Sequence, residues 1–526
     1  FTNEACHLRG QCIGQLGTEH APRCRLQRTP TGKRDLSVLV VHGPHVATLG
    51  IAGCYTTPMT SLADDTRWLD ATDQASLVRS GGVSASELLE AAIERIERLD
   101  PALNAVVIRW FDHARDLAAG QLPDGPFRGV PFLLKDLWAH FAGQTLSNGN
   151  KALRALAPVS EADTTLVQRF KAAGFVTAGR TNSPEFGSVS LTENDRFGIT
   201  RNPWDPSRTP GGSSGGAAAA VAAGMVPVAH ASDGGGSIRI PASCCGLVGH
   251  KPSRNLVPDL VPLWSGLSTE GAVTRTVADA AAVLDAMSAP DPGAWWPQAR
   301  KVRPFLDEVG ADPGRLRIAI NTTSALGLEV APEALAAVEG TADLLASLGH
   351  DVVRLDEDVF DPSGLGDFLT LLNGSMCGYP GMDWDRVEPH NRAARQAALG
   401  TTSAEFNEAL MALQVLSRAL VARFGTEFDV LCTPTMAIEP PEVGLLAQVH
   451  AEPEVPLLEV ISMAAFTAVF NISGQPAVSL PLHVAASGLP VGVQLVAGLY
   501  RDDLLFRVAA QLEAAAPWAD RYPFPA

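Results

Sequence analysis

Long apolar runs are missing from this 526-residue chain: none reaches the roughly 18 to 20 residues that a helix needs to cross a bilayer. Positive charge is also in deficit. Forty Lys and Arg against 57 Asp and Glu leave a formal net charge of −17, and such a surface repels phosphate backbones and anionic lipid headgroups. Neither nucleic acid nor membrane is therefore expected as a partner. Cysteine is scarce in most of the chain: after the first 58 residues only Cys244, Cys245, Cys377 and Cys432 occur, without metal-ligand spacing. Cys244 and Cys245 sit in an apolar stretch, 242–248, where they read as small buried fillers and point to a reducing cytoplasm. The twelve histidines form no usable pattern, and there is no internal repeat. No metal or organic cofactor is implied.

What is present suits a globular α/β enzyme with many tight turns: 46% hydrophobic and 18% charged residues, with 48 Gly and 38 Pro. The first 58 residues differ from the rest. They carry six Lys or Arg against three acids, without sustained periodicity. The expected organisation is a non-native or disordered extension over 1–58, with Met59 as the natural start, and a catalytic domain over 59–526. The segment ending Ile51-Ala52-Gly53-Cys54 has the look of a lipoprotein signal, but Asp35 and His42-Gly43-Pro44-His45 break its apolar stretch.

In the body, Ser84 and Glu87 form a capping box ahead of apolar residues at helical spacing, and Pro101 is expected to stop that helix. Strands are expected at 105–108, at 130–134, which delivers Lys135 at its end, at 175–178 and at 226–229. Helices are expected at 164–173 and at 217–223, the latter small-sided and fit for a core. Further strands at 317–320, 351–354, 430–432, 477–480 and 492–496 alternate with helical stretches, so the fold class is α/β, a mixed sheet covered by helices. Residues 374–385, rich in Gly, Pro, Met and Trp, interrupt a helical region and read either as part of a substrate pocket or as a surface connection.

Two glycine-rich loops dominate: Gly211-Gly212-Ser213-Ser214-Gly215-Gly216 and Asp233-Gly234-Gly235-Gly236-Ser237-Ile238-Arg239. Glycine at that density suits backbone N–H groups turned toward an anion or oxyanion. A phosphate loop would need Gly-Lys-Ser/Thr, whereas alanines follow Gly216, and neither loop has the dinucleotide-binding pattern. Together with Gly129-Val130-Pro131-Phe132-Leu133-Leu134-Lys135-Asp136 upstream, these segments resemble the three signature segments of the amidase-signature family. The sequence distance between Ser213 and Ser237 matches that family too. Further similar marks are Glu185-Phe186, Asn202-Pro203, Arg275 with Asp279, Thr433-Pro434-Thr435 and 471–477. Gly234 departs from the larger apolar residue common there.

The resemblance implies one amidase-signature domain with helices on both faces of its sheet, and hydrolysis of a non-peptide carbon–nitrogen bond through a serine acyl-enzyme. In that reading Ser237 attacks, Ser213 in a cis peptide relays the proton, and Lys135 is the base. The N–H groups of Gly234, Gly235, Gly236 and Ser237 would hold the oxyanion, and Asp233 and Arg239 would support the loop. Lysine can serve only if its pKa falls from about 10.4 toward roughly 7 to 8, and the apolar flank Phe132, Leu133, Leu134 and Leu137 offers the burial to do so. Each residue also has a plainer reading: Lys135 as a surface lysine, Ser213 as a helix cap, Ser237 as a turn serine, and Asp233 with Arg239 as a surface ion pair.

The expected partner is a small-molecule amide, linear or cyclic, an anilide or a carbamate, and the assembly a homodimer. The end of the chain and Asn202-Pro203-Trp204 resemble the branch that includes bacterial hydrolases of cyclic nylon oligomers and aryl acylamidases. Two rivals stand beside this reading: the glutamine-hydrolysing subunit of a tRNA-dependent amidotransferase, and a binding protein on an inactive amidase scaffold.

Overall fold

A computed structural model describes residues 61–523, apart from 157–158, 259–262, 295, 297–300, 325, 356–358, 360 and 380, together with 27–28 and 34–35. The expected extension over 1–58 lies outside the described residues, save for an antiparallel pairing of Gln27–Arg28 with Arg34–Asp35.

In the body, eleven strands form one sheet: β1 (Val106–Arg109), β2 (Pro131–Lys135), β3 (Val176–Thr181), β4 (Val228–Asp233), β5 (Val248–Lys251), β6 (Thr269–Thr274), β7 (Arg317–Ile320), β8 (Asp351–Arg354), β9 (Val430–Pro434), β10 (Ala477–Val484) and β11 (Pro490–Ala497). Their spatial order is β8-β7-β9-β11-β10-β5-β6-β4-β2-β3-β1. The sheet is mixed. β2 runs parallel to β3 and β4, and β7 runs parallel to β8 and β9, while the remaining neighbours are antiparallel.

Both faces of the sheet are buried, as strand alternation shows. Phe132, Leu134, Val228, Val478 and Leu480 join one apolar core, with side chains from the helices Thr165–Ala172, Val277–Met287 and Asp502–Ala515. Leu133, Ala229, Ala231 and Val273 point the other way, into a core shared with the helices Ala85–Leu103 and Gly215–Ala222. The alanine-rich Gly215–Ala222 is buried on every side, so small residues are what let it pack in mid-core. Cys244 and Cys245 are free, buried members of the same core.

The capping box of Ser84 and Glu87 is formed. Pro101, however, does not stop its helix, which runs to Leu103. Proline removes one N–H bond and crowds the carbonyl four residues earlier, but its fixed φ is compatible with the helix, and the last turn continues until Asn104 takes a left-handed conformation and its N–H closes on Asp100 O. Residues 374–385 hold one short 3-10 turn, Ser375–Gly378, and run into a second, Trp384–Arg386, and the Tyr379 ring packs 4.2 Å from that of Phe186.

Candidate active site

Two parallel neighbours, β2 and β4, end beside each other and deliver Lys135 and Asp233 at the same edge of the sheet. Lys135 is fully buried, which removes the surface reading. Its Nζ donates to Ser213 Oγ at 2.7 Å and to Ser232 Oγ at 3.0 Å, with Ser232 O at 3.4 Å. Burial pushes the Lys135 ammonium down to about 7, and the carboxylates of Glu270 and Asp233 pull only partly the other way. An amine held near neutrality in a dry site can accept a proton.

Ser213 follows a cis peptide bond from Gly212. The N-cap of the next helix is Ser214, so Ser213 is not that cap; its hydroxyl faces Lys135 instead. Ser237 is 9% exposed and borders the large cavity described below. Among the described residues its hydroxyl makes no hydrogen bond, so the structure joins Lys135 to Ser213 directly and leaves Ser237 Oγ free.

The loop after β4 is built around the Asp233 carboxylate. It accepts from Gly236 N–H at 2.7 Å, from Ile238 N–H at 3.2 Å, and from Arg239 Nη2 and Nε at 2.8 and 2.9 Å. One expectation is thereby corrected: the Gly236 N–H is committed to Asp233 and is not an open oxyanion donor. Those of Gly234, Gly235 and Ser237 make no hydrogen bond among the described residues. Gly236 has φ +133°, and a Cβ there would stand 2.3 Å from Thr467 Oγ1, so only glycine closes this turn.

Asp233 and Arg239 are both 0% exposed, which excludes a surface ion pair. Burial works against the Asp233 charge, yet the Arg239 guanidinium beside it holds the carboxyl well below the usual carboxylate range. Arg239 also donates to Gln494 Oε1, Asn471 Oδ1 and Thr467 O, so the guanidinium is fully partnered. Asn471 Nδ2 returns to Asp233 Oδ1 at 2.9 Å and to Leu267 O at 3.1 Å.

Above this floor opens a cavity of about 660 Å³. Gly235 and Ser237 border it on one side. Phe368, Leu372 and Met376, then Val460, Ile461, Ala464 and Ile472, form apolar walls. The turn carrying Met376 thus belongs to the pocket rather than to a mere surface connection. Among the described residues no Lys or Arg lines the cavity; its ionisable groups are His390 and the exposed Glu454.

Sequence reasoning missed several contributors. Ser232 lies one residue ahead of the second glycine loop, outside the pattern read from the sequence, yet it shares the Lys135 amine. Asn471, Thr467 and Gln494 come from segments more than 200 residues away in sequence and meet Arg239 only in the folded chain. Trp264 takes the space that Gly234 leaves: a Cβ on Gly234 would lie 2.5 Å from two of its ring carbons. A glycine where a larger residue is usual was the available signal, without any indication of what filled the gap.

The sequence model of the family described as Amidase matches residues 87–363 and 385–506. A 6-aminohexanoate-cyclic-dimer hydrolase of Paenarthrobacter ureafaciens is 40% identical over 483 residues, covering 87% of this chain and 96% of that protein. The solved structure of a 6-aminohexanoate cyclic dimer hydrolase complexed with substrate superposes with a TM-score of 0.82 at 38% identity, covering 87% of this chain and 99% of the other. A bacterial aryl acylamidase belonging to the amidase-signature enzymes superposes with a TM-score of 0.78 at 27% identity, covering 86% and 97%.

Proposed function

The chain belongs to the Amidase family, and from that membership we propose that it hydrolyses a non-peptide amide bond through a serine acyl-enzyme built on Ser237, Ser213 and Lys135. The observation that carries this assignment is the buried 2.7 Å contact between Lys135 Nζ and Ser213 Oγ, with the lysine pushed to about 7. Neutral Lys135 takes the Ser213 proton while Ser213 takes that of Ser237, whose Oγ attacks the carbonyl carbon. The N–H groups of Gly234, Gly235 and Ser237 are the donors left for the oxyanion. The proton returns along the same path to the departing amine, and water then cleaves the ester. Asp233 and Arg239 position the loop and touch no substrate.

The cavity favours an uncharged amide of moderate size. Its walls are apolar, and no cation is present among the described lining residues to pair with an α-carboxylate, as hydrolysis of free glutamine would demand. A cyclic amide, having no free ends, suits such a pocket, as does an anilide. We assign the catalytic domain to 59–526 and the enzyme to the cytoplasm, whose reducing conditions the free buried thiols of Cys244, Cys245 and Cys432 fit.

The test is amine release from a panel of cyclic amides, linear amides with and without charged ends, anilides, carbamates and glutamine, with Ser237→Ala as control. Turnover of neutral amides by the wild type alone is expected. Glutamine hydrolysed as efficiently as any neutral amide would overturn the substrate assignment, and full activity in Ser237→Ala would overturn the mechanism.

A further inference from the structure

Beside the cavity, three buried side-chain atoms face one another. Glu388 is the N-cap of the helix Pro389–Gly400, His390 lies in its first turn, and His450 lies on the helix Leu446–Ala451. Among the described residues Glu388 Oε2, His390 Nδ1 and His450 Nε2 each lack a hydrogen-bond partner, and all three lie within 4.8 Å of one another. The side chains are 1%, 8% and 20% exposed. Unpaired polar atoms in such a place are costly and rare.

The remaining polar atoms of Glu388 and His390 are already used. Glu388 Oε1 accepts from Asp195 N–H at 2.7 Å. His390 Nε2 stands 3.0 Å from Ser188 Oγ, and the Ser188 hydroxyl donates to Glu185 O at 3.1 Å. The serine oxygen must then accept from Nε2–H, which fixes the tautomer and leaves His390 Nδ1 with a bare lone pair. That lone pair is 3.9 Å from the Glu388 carboxylate oxygen, and His450 Nε2 is 3.6 Å from the same oxygen. These gaps are too long for hydrogen bonds. They come close to the separation of about 3.3 Å between two ligand atoms on one tetrahedral zinc with bonds of about 2.0–2.1 Å. A ring nitrogen freed by a hydrogen bond on the opposite nitrogen is also how ligating histidines are usually prepared.

We propose that Glu388, His390 and His450 bind a divalent transition cation of the zinc class, with a fourth position left to water. Two imidazoles and one carboxylate suit such an ion better than calcium or magnesium, which favour oxygen ligands. The cation ties the helix Pro389–Gly400 to the helix Leu446–Ala451. His390 borders the cavity from the first of these and Val449 from the second, so the ion fixes the spacing of two cavity walls. No step of amide hydrolysis passes through it, and the site stands whether or not the assigned reaction is right.

The test uses the full chain, stripped with a chelator and dialysed. Zinc chloride is titrated by calorimetry, and retained metal is counted by elemental analysis after desalting. Wild type is expected to retain one equivalent more than either His450→Ala or Glu388→Gln, and zinc should raise the melting temperature of the wild type only. Circular dichroism of the stripped variants establishes folding; His450, the most exposed ligand, is the least disruptive to replace, and Glu388→Gln keeps the side-chain shape. Cobalt in place of zinc should give visible absorption of tetrahedral type in the wild type and not in the folded variant. Equal retention by wild type and folded variants, as the cysteines and histidines of the first 58 residues could produce, overturns the proposal. A wild type that retains no metal overturns it as well.

Discussion

Lys135 Nζ lies 2.7 Å from Ser213 Oγ, inside a site where the lysine is fully buried and, among the described residues, no carboxylate touches its amine. Desolvation dominates its titration, and the sign follows. Below about 7 the amine is protonated and cannot take a proton; above it the free base prevails. The expected outcome is that kcat/KM rises with pH through about 7 and then levels. Lys135→Ala should lower it by roughly 10²–10⁴ and abolish that limb. Lys251 is also pushed down to about 7, so Ser232→Ala assigns the limb. It removes an acceptor that favours the ammonium of Lys135 and should move the limb toward lower pH, by up to about one unit.

Ser237→Ala should abolish acyl-enzyme formation while changing substrate affinity by less than about tenfold, because in the proposed mechanism the hydroxyl contributes to chemistry rather than to cavity shape. Rapid-quench kinetics separates the two: a burst of amine in the wild type, none in the variant, with binding followed by calorimetry. A burst of normal size in Ser237→Ala would remove this residue from the nucleophile's role.

Asp233→Asn leaves the Arg239 guanidinium buried without its counter-charge, and the expected destabilisation is about 3–5 kcal/mol in a denaturant melt. Linkage gives the same residue a pH signature. Its folded-state pKa is depressed below the unfolded value of about 3.9, so its stabilisation is complete above that value and is lost as pH falls beneath it. The wild type should therefore lose stability more steeply below about pH 4 than Asp233→Asn does.

Gly234 and Trp264 should couple. A methyl at 234 must displace the Trp264 ring, which borders the cavity, since their atoms would stand 2.5 Å apart. Gly234→Ala and Trp264→Leu are each expected to raise KM. The double variant should be better than the sum of the two by roughly 0.5–3 kcal/mol in a double-mutant cycle. Strict additivity would show that the ring is not wedged against the loop.

Particular residues show how far the chain alone could be read. The capping box, the strand ending in Lys135 and the two glycine loops are local patterns, set by propensity and backbone conformation, and they lie where periodicity places them. Pro101 differs, because a proline signals a stop without saying how many residues later a cap will be found, and here the helix runs on to Leu103. Glu388 and His390 are close in sequence to each other but about 60 residues from His450, a spacing that matches no metal motif, so their convergence left no trace in the sequence.

What the sequence determined by itself is therefore the α/β architecture and the family, and it singled out Lys135, Ser213 and Ser237 for the proposed triad, because short-range patterns and signature segments carry them. Only the tertiary structure decided the rest. The burial that lowers Lys135, the loss of Gly236 N–H to Asp233, the meeting of Arg239 with Asn471 and Gln494, and the apolar cavity all depend on desolvation and packing between distant segments. Those are properties of a folded volume, and no window along the chain contains them.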